Sequence, residues 1–306
     1  MDKRRKLYRA AGAIAAATAV TLAVAWALLA GGGGGPAPPP PATSPTSALF
    51  RLLPDGRWER LPLGQGIPRD RDPDISAKGA VAFASDRSGH FDIWVADLDQ
   101  PPAPVTAFNG AATGSPRWAP DGRRLALTSV ADGAPALFIL DRASDKLRRV
   151  AADPGAEDRA PAWSRDGQRL YFASNRLGGW RIWITRPPYQ EAMPITEEGW
   201  LAAKESADGR WLYMVREGDG GLWRQPADGG IAEPVAPLPA AADSESWLPT
   251  RDGVYLLDRD ADGTVRLLLL PTDGGAVRAL ATAPGAVRQS TLTLDMGGRP
   301  VIAGPP

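Results

Sequence analysis

Few residues in this sequence have the type and spacing to do chemistry. His90, in DRSGHFDIW, is the only histidine among 306 residues, and there is no cysteine. A Ser-His-Asp relay needs a nucleophile held beside the imidazole, yet the chain carries no G-x-S-x-G elbow. His90 therefore reads as a half-exposed turn residue. One histidine and no cysteine also argue against thiol catalysis, a His-rich metal centre, cysteine-ligated zinc and disulfides.

A second group is Asp258, Asp260 and Asp262, which with Gly263 give D-x-D-x-D-G in DRDADGTV. Hard oxygen ligands at alternate positions before a glycine turn suit Ca²⁺. The twelfth position of such a loop is Leu269 rather than a bidentate glutamate, and the stretch aligns with SDRSGHF and SNRLGGW elsewhere in the chain. An acidic hairpin tip is the leading reading, with calcium as the alternative. The third group is a scatter of charges in short loops: Arg71, Asp72, Asp74, Arg117, Asp158, Arg159, Glu198, Glu245 and Arg288. Whether these meet depends on the elements that carry them.

Those elements repeat. Gly79, Gly122, Gly167, Gly209, Gly253 and Gly298 are 43, 45, 42, 44 and 45 residues apart, four of them in Asp-Gly pairs. Asp-Gly marks a tight turn, because glycine accepts the positive φ that other residues resist. Each is followed by a strand-like run such as RRLALTS, QRLYFAS or RWLYMVR, then by a second run such as FDIWVADL, ALFILDR or WRIWITR, and by a weaker third. With the segment before each glycine this makes four strands per repeat. Four antiparallel strands at 40–45 residues predict a β-propeller blade. Trp94, Trp118, Trp163, Trp183 and Trp223 recur at matching places and are expected to pack between blades.

Five sets of strands are complete between about residues 74 and 282, after which only two strands follow. The missing pair has the pattern of ALFRLLPDGRWERLPL, residues 48–63. The expectation is an all-β, six-bladed propeller closed by pairing of N- and C-terminal strands, with residues 49–53 beside 299–303, removing the exposed edges of an open sheet.

Ahead of it, residues 10–30 are 21 uncharged residues, about 32 Å as a helix at about 1.5 Å per residue, and are expected to form a single transmembrane helix. Lys3, Arg4, Arg5, Lys6 and Arg9 precede this segment and no basic residue follows before Arg51, which places residues 1–9 in the cytoplasm and sends the body outward. A cleaved signal peptide is the alternative, since Ala23-Val24-Ala25 offers a small-x-small site; both readings export the body. Residues 31–47, rich in glycine and proline, form a tether, and residues 48–306 form the propeller. Formal net charge is zero, and with the basic tail set aside the body is slightly acidic. Nucleic acid is excluded as a partner by that balance.

The segments GSPRWAPDGRRLALTS, RAPAWSRDGQRLYFASNRLGGWRIW and KGAVAFASDRSGHFDIW resemble the WD40-like PD40 repeats of the TolB propeller family. That resemblance implies an extracytoplasmic, periplasmic interaction module of a bacterial envelope. Anchor, tether and propeller together also resemble the outer half of membrane-bound winged-helix regulators, without their DNA-binding domain. In a propeller the fourth-to-first connections and second-to-third turns share one face, so the third group of charges is expected at the channel mouth, as a site for a protein or peptide partner. The enzymatic alternative is a propeller hydrolase or lyase with an acidic, Ca²⁺-assisted site; the primary reading has no cofactor.

Overall fold

The computed structural model describes residues 47–63, 68–97, 100–238, 245–260, 262–272, 275–283 and 292–304. The segment at 10–30 and most of the tether lie outside them. Among the described residues no helix is long and apolar enough to cross a membrane. They form six four-stranded antiparallel sheets.

The first blade contains the strands Asp70–Ile75, Val81–Ser85, Asp92–Ala96 and Ala103–Pro104, in sequence order across the sheet. The second follows with Thr113–Trp118, Arg124–Ser129, Ala136–Asp141 and Lys146–Arg149. Third-blade strands are Asp158–Trp163, Leu170–Ser174, Arg181–Thr185 and Ala192–Pro194, and those of the fourth are Trp200–Glu205, Trp211–Arg216, Gly221–Pro226 and Glu233–Pro237. The fifth contains Trp247–Pro249, Val254–Arg259, Val265–Leu270 and Arg278–Thr282. In the sixth, Thr293–Leu294 and Pro300–Gly304 are continued outward by Ala48–Leu52 and Trp58–Arg60. The two ends meet with Leu49 opposite Ala303, Phe50 opposite Ile302 and Arg51 opposite Val301.

The repeat glycines make the first-to-second-strand turns possible. All six have positive φ, from 62° at Gly122 to 143° at Gly253. In the Asp-Gly turns the aspartate accepts nearby backbone N–H groups: Asp121 from Arg123 and Arg124, Asp166 from Gln168, Asp208 from Arg210. Such local side-chain bonds are why Asp-Gly specifies a turn rather than merely permitting one.

Central strands alternate with period two, and both of their faces are buried. Leu125 and Leu127 pack with Ala82, Ile93 and Val95 of the first blade. Ala126, between them, faces Leu170, Phe172 and Trp183 of the third. The same pattern joins third to fourth blade through Tyr171, Ile182, Leu212 and Met214, and fourth to fifth through Tyr213, Leu222, Trp247 and Leu256. Leu257 and Leu267 then meet Phe50 and Ile302, and Leu49 and Ala303 meet Phe83 and Ala96 of the first blade. Trp118 and Trp183 are buried in these seams, with Trp94, Trp163 and Trp223 partly buried against them, as their spacing predicts.

Leu49 is 1% exposed although its strand stands at the N-terminal end of the described residues. Leu49→Ala is expected to lower unfolding free energy by about 2–5 kcal/mol, as for a leucine in any closed core. Deleting residues 48–63 should cost more, measured by denaturant unfolding. A change under about 0.5 kcal/mol in both would mean that this strand does not share the cooperative unit.

Candidate functional site

The innermost strand of each blade lines the axis, and three of these strands are bent in the same way. Register shifts interrupt the pairing between Arg71 and Asp74, between Gly114 and Arg117, and between Arg159 and Ala162. The residue before proline at each bulge, Asp72, Ser115 and Ala160, has φ of 53°, 48° and 51°. That is the left-handed region, which L-residues rarely enter and which a following proline disfavours further. Strain of about 1–3 kcal/mol per residue persists only where surrounding packing enforces it, and bulges re-aim neighbouring side chains. Here they turn Arg71, Asp72, Ser115 and Arg159 toward one cavity of about 660 Å³, whose lining also includes Trp180 and Glu245.

Two arginines at this mouth are backed by aromatic rings of their own blade. The Arg71 guanidinium lies 4.1 Å from the Phe91 ring centre, and that of Arg159 lies 4.9 Å from Trp180. Phe91 and Trp180 occupy the same place in SDRSGHF and SNRLGGW. Stacking holds each guanidinium flat and leaves its edges available for hydrogen bonds. Arg159 pairs with Glu157, and Arg71 Nε, 3.8 Å from an Asp72 carboxylate oxygen, is buried without a hydrogen-bond partner. Asp72 also accepts a long bond, 3.4 Å, from the strained Ser115 N–H of the next blade.

The floor of the mouth is a polar strap across the channel. Arg117 of the second blade reaches Glu245, at the start of the fifth, with Nη2 3.2 Å from Oε2. Lys204, only 9% exposed, donates to the Glu245 and Trp247 carbonyl oxygens at 2.9 and 2.5 Å. Asp74 accepts from the Trp118 N–H at 2.6 Å and from the Thr293 hydroxyl at 2.9 Å. Below the strap Asp74, Arg117, Trp163 and Lys204 line a second opening of about 320 Å³ on the other face. Asp74 keeps partial contact with the channel, but protein atoms surround it. That desolvation pushes its carboxyl above the ordinary range, and Arg117, Lys204 and its two hydrogen bonds offset only part of the effect.

The sequence-selected charges therefore divide. Arg71, Asp72, Arg159 and Glu245 meet at the larger mouth, whereas Asp74 and Arg117 lie deeper, at the strap. Asp158 does not reach the mouth: it is 1% exposed and paired with Arg176 at 2.8 Å, a guanidinium clamped against Phe172 and Trp183. The same unit recurs as Asp70 with Arg87 against Phe83 and Trp94, so the A-S-[DN]-R motif is a blade fastener. Glu198 is largely exposed and faces Arg181 at 3.3 Å. Arg288 lies outside the described residues. His90 Nε2 is 3.1 Å from Asp92, itself held by Ser88 and Thr106.

Asp258 and Asp260 both face Arg266, and Asp262 accepts the Thr264 N–H in its own turn. These carboxylates bind a guanidinium and a backbone amide; among the described residues no three acidic or histidine side chains converge as a metal shell. Sequence reasoning missed Lys204 and the pairing of Arg71 and Arg159 with rings. The aligned aromatic ending each second-to-third-strand turn carried that second signal.

The sequence matches the TolB beta propeller domain family, PD40, over residues 64–293. The chain belongs to that family. A TolB-described protein from Agrobacterium tumefaciens is similar at 21% identity and a TM-score of 0.69, over 86% of this chain and all of that one. TolB from Acinetobacter baumannii gives 21% and 0.59 over 80% of this chain and 68% of its own. An oligogalacturonate lyase in complex with manganese gives 16% and 0.55, over 75% and 69%. At these identities the likeness concerns the fold. No curated protein matches the sequence.

The raised Asp74 titration has a defined sign. The folded state holds a proton that the unfolded chain has already released, so the stability contributed by this group falls as pH rises through its folded pKa. Asp74→Asn removes that titration. Wild-type stability minus that of the variant should grow as pH is lowered from neutrality and level off below about 4. A difference independent of pH would return the carboxyl to its ordinary range.

Proposed function

We propose that this TolB-family propeller is a non-catalytic interaction module, exported and held at a bacterial inner membrane by residues 10–30, that captures a peptide segment of an envelope protein at its larger mouth. Pairing of the two chain ends closes the ring that shapes that mouth. The observation that carries the reading is the set of three strained bulges around one cavity, two of them carrying the ring-backed Arg71 and Arg159, with the Arg117–Glu245 strap as its floor. A peptide offers carboxylates to Arg71 and Arg159, carbonyls to their free edges and an apolar side chain to Trp180 and Leu201. A depth limited by the strap suits a chain end or short loop. The basic tail and uncharged helix-length segment support a single-pass anchor with the propeller in the periplasm.

A photo-crosslinking residue at Leu201 in intact cells should give a discrete protein adduct, whereas one at Arg148 on an outer strand should not. Trp180→Ala or Arg159→Ala should reduce capture about tenfold, and capture should persist in EDTA. Equal labelling from both positions, or capture indifferent to both substitutions, would contradict the reading. EDTA-dependent capture would favour the calcium-assisted alternative. Alkaline carbonate should leave the full chain in the membrane pellet, and release of a shortened soluble form would contradict the anchor.

A further inference from the structure

On the other face of the ring, the turns of two consecutive blades send an arginine into the cleft with the next blade. Two residues after the repeat glycine, the second blade has Arg124 and the third has Arg169. Arg124 crosses the next seam to the Tyr189 hydroxyl and the Gly167 carbonyl. Arg169 crosses the next to Glu205 and the Ala227 carbonyl. The first-blade turn is one residue shorter: the Ser76 N–H donates to the Ala80 carbonyl, where the Ala119 and Ser164 N–H groups donate to those of Arg124 and Arg169, so the small Ala80 stands at this position. The cleft between first and second blades is consequently open, a cavity of about 480 Å³ whose polar walls are Ser76, Lys78, Asp97, Trp118, Arg123 and Arg142.

Two donors in this cleft have no acceptor. Trp118 is 8% exposed and its Nε1 is buried without a hydrogen-bond partner. Its counterpart in the next blade, Trp163, donates the same N–H to the Arg117 carbonyl at 3.0 Å. Arg142 lies over the Trp118 ring, 5.9 Å from its centre, and its Nη2 is 3.5 Å from Asp97. Its Nη1 is buried with no partner. Lys78 lies with its stem along Gly122, and Arg123 pairs with Asp141. A buried unpaired donor costs about 1–3 kcal/mol, and more when it is charged. A neutral and a charged donor left unpaired beside one cationic cleft are groups that a bound anion would satisfy.

We propose that this cleft is an oxyanion site of the phosphate class, with Trp118 Nε1 and Arg142 Nη1 as donors and Lys78 as a further positive charge. Asp97 orients the guanidinium from behind, leaving Nη1 for the ligand. The site is separate from the channel mouth and does not rest on the peptide reading. Its oxyanion is either free phosphate or the phosphodiester of a lipid headgroup.

Calorimetric titration of the full chain with sodium phosphate, against sodium chloride at equal ionic strength, should show one saturable site. Trp118→Phe, which keeps the ring, and Arg142→Gln should each weaken it about tenfold or more. Ala80→Arg, which supplies the guanidinium found at the matching place in the next two clefts, should abolish it. In cosedimentation with phosphatidylglycerol or phosphatidylcholine vesicles, the basic tail favours the anionic vesicles in every variant, so the readout is the difference made by Arg142→Gln. Loss of phosphatidylglycerol preference in that variant assigns a headgroup; saturable phosphate binding without such loss assigns the free ion. If neither arm responds, or if Trp118→Phe and Arg142→Gln each bind as the parent does while unfolding at its temperature, the proposal is overturned.

Discussion

Every feature of this molecule depends on seams between neighbouring sheets. A central blade strand such as Arg124–Ser129 points alternate residues at two different blades, so no sheet can bury its own faces. Six apolar clusters, one per seam, supply that burial, and the sixth joins Leu49 and Ala303 to Phe83 and Ala96. Hydrophobic burial is non-directional, so by itself it leaves sheet order open. Directional contacts come from buried guanidiniums: Arg87 and Arg176 each pair with an aspartate of their own blade, Asp70 and Asp158, and also donate to the carbonyl of a preceding segment, Leu63 and Ala151. Removing one partner of such a pair leaves an uncompensated buried charge, which typically costs about 3–5 kcal/mol.

With the outer parts of the blades fixed by packing, the axis is free to store strain and charge. The left-handed residues before Pro73, Pro116 and Pro161 are the points where local preference loses to the ring. They occur side by side, in three consecutive blades, at the wider mouth. The strap of Arg117, Glu245 and Lys204 ties the second, fourth and fifth blades together across the axis, and Asp74 is held beside it at an electrostatic cost. Strain and an unfavourable carboxylate environment placed on the axis, rather than in the seams, are the pattern expected where shape serves recognition.

The fold was legible because its determinants are local and repeated: a glycine that must take positive φ, a capping aspartate, and apolar alternation on either side. That residues 49–53 should lie beside 299–303 was legible from strand count and apolar pattern, and Leu49 stands opposite Ala303. The site was legible only in part, because loop membership does not set depth. Asp158 and Arg159 are adjacent in sequence, yet the strand pleat sends one into a buried pair with Arg176 and the other onto Trp180. Lys204 gave no signal, since a lysine in LAAKESADG reads as solvated until a neighbouring blade supplies carbonyls. Trp118 and Trp163 look equivalent in sequence; only their surroundings separate a satisfied indole from an open one.

The central claim is that six seams act as one cooperative ring presenting the mouth, with both chain ends built into it. Native-state hydrogen exchange tests this most directly, because it assigns an opening free energy to each strand. Amides of Ala48–Leu52 and Val301–Gly304 should open with the same free energy as those of Arg124–Ser129 and Leu170–Ser174. Exchange of the terminal strands at loop-like rates, while the other five blades stay protected, would contradict the account.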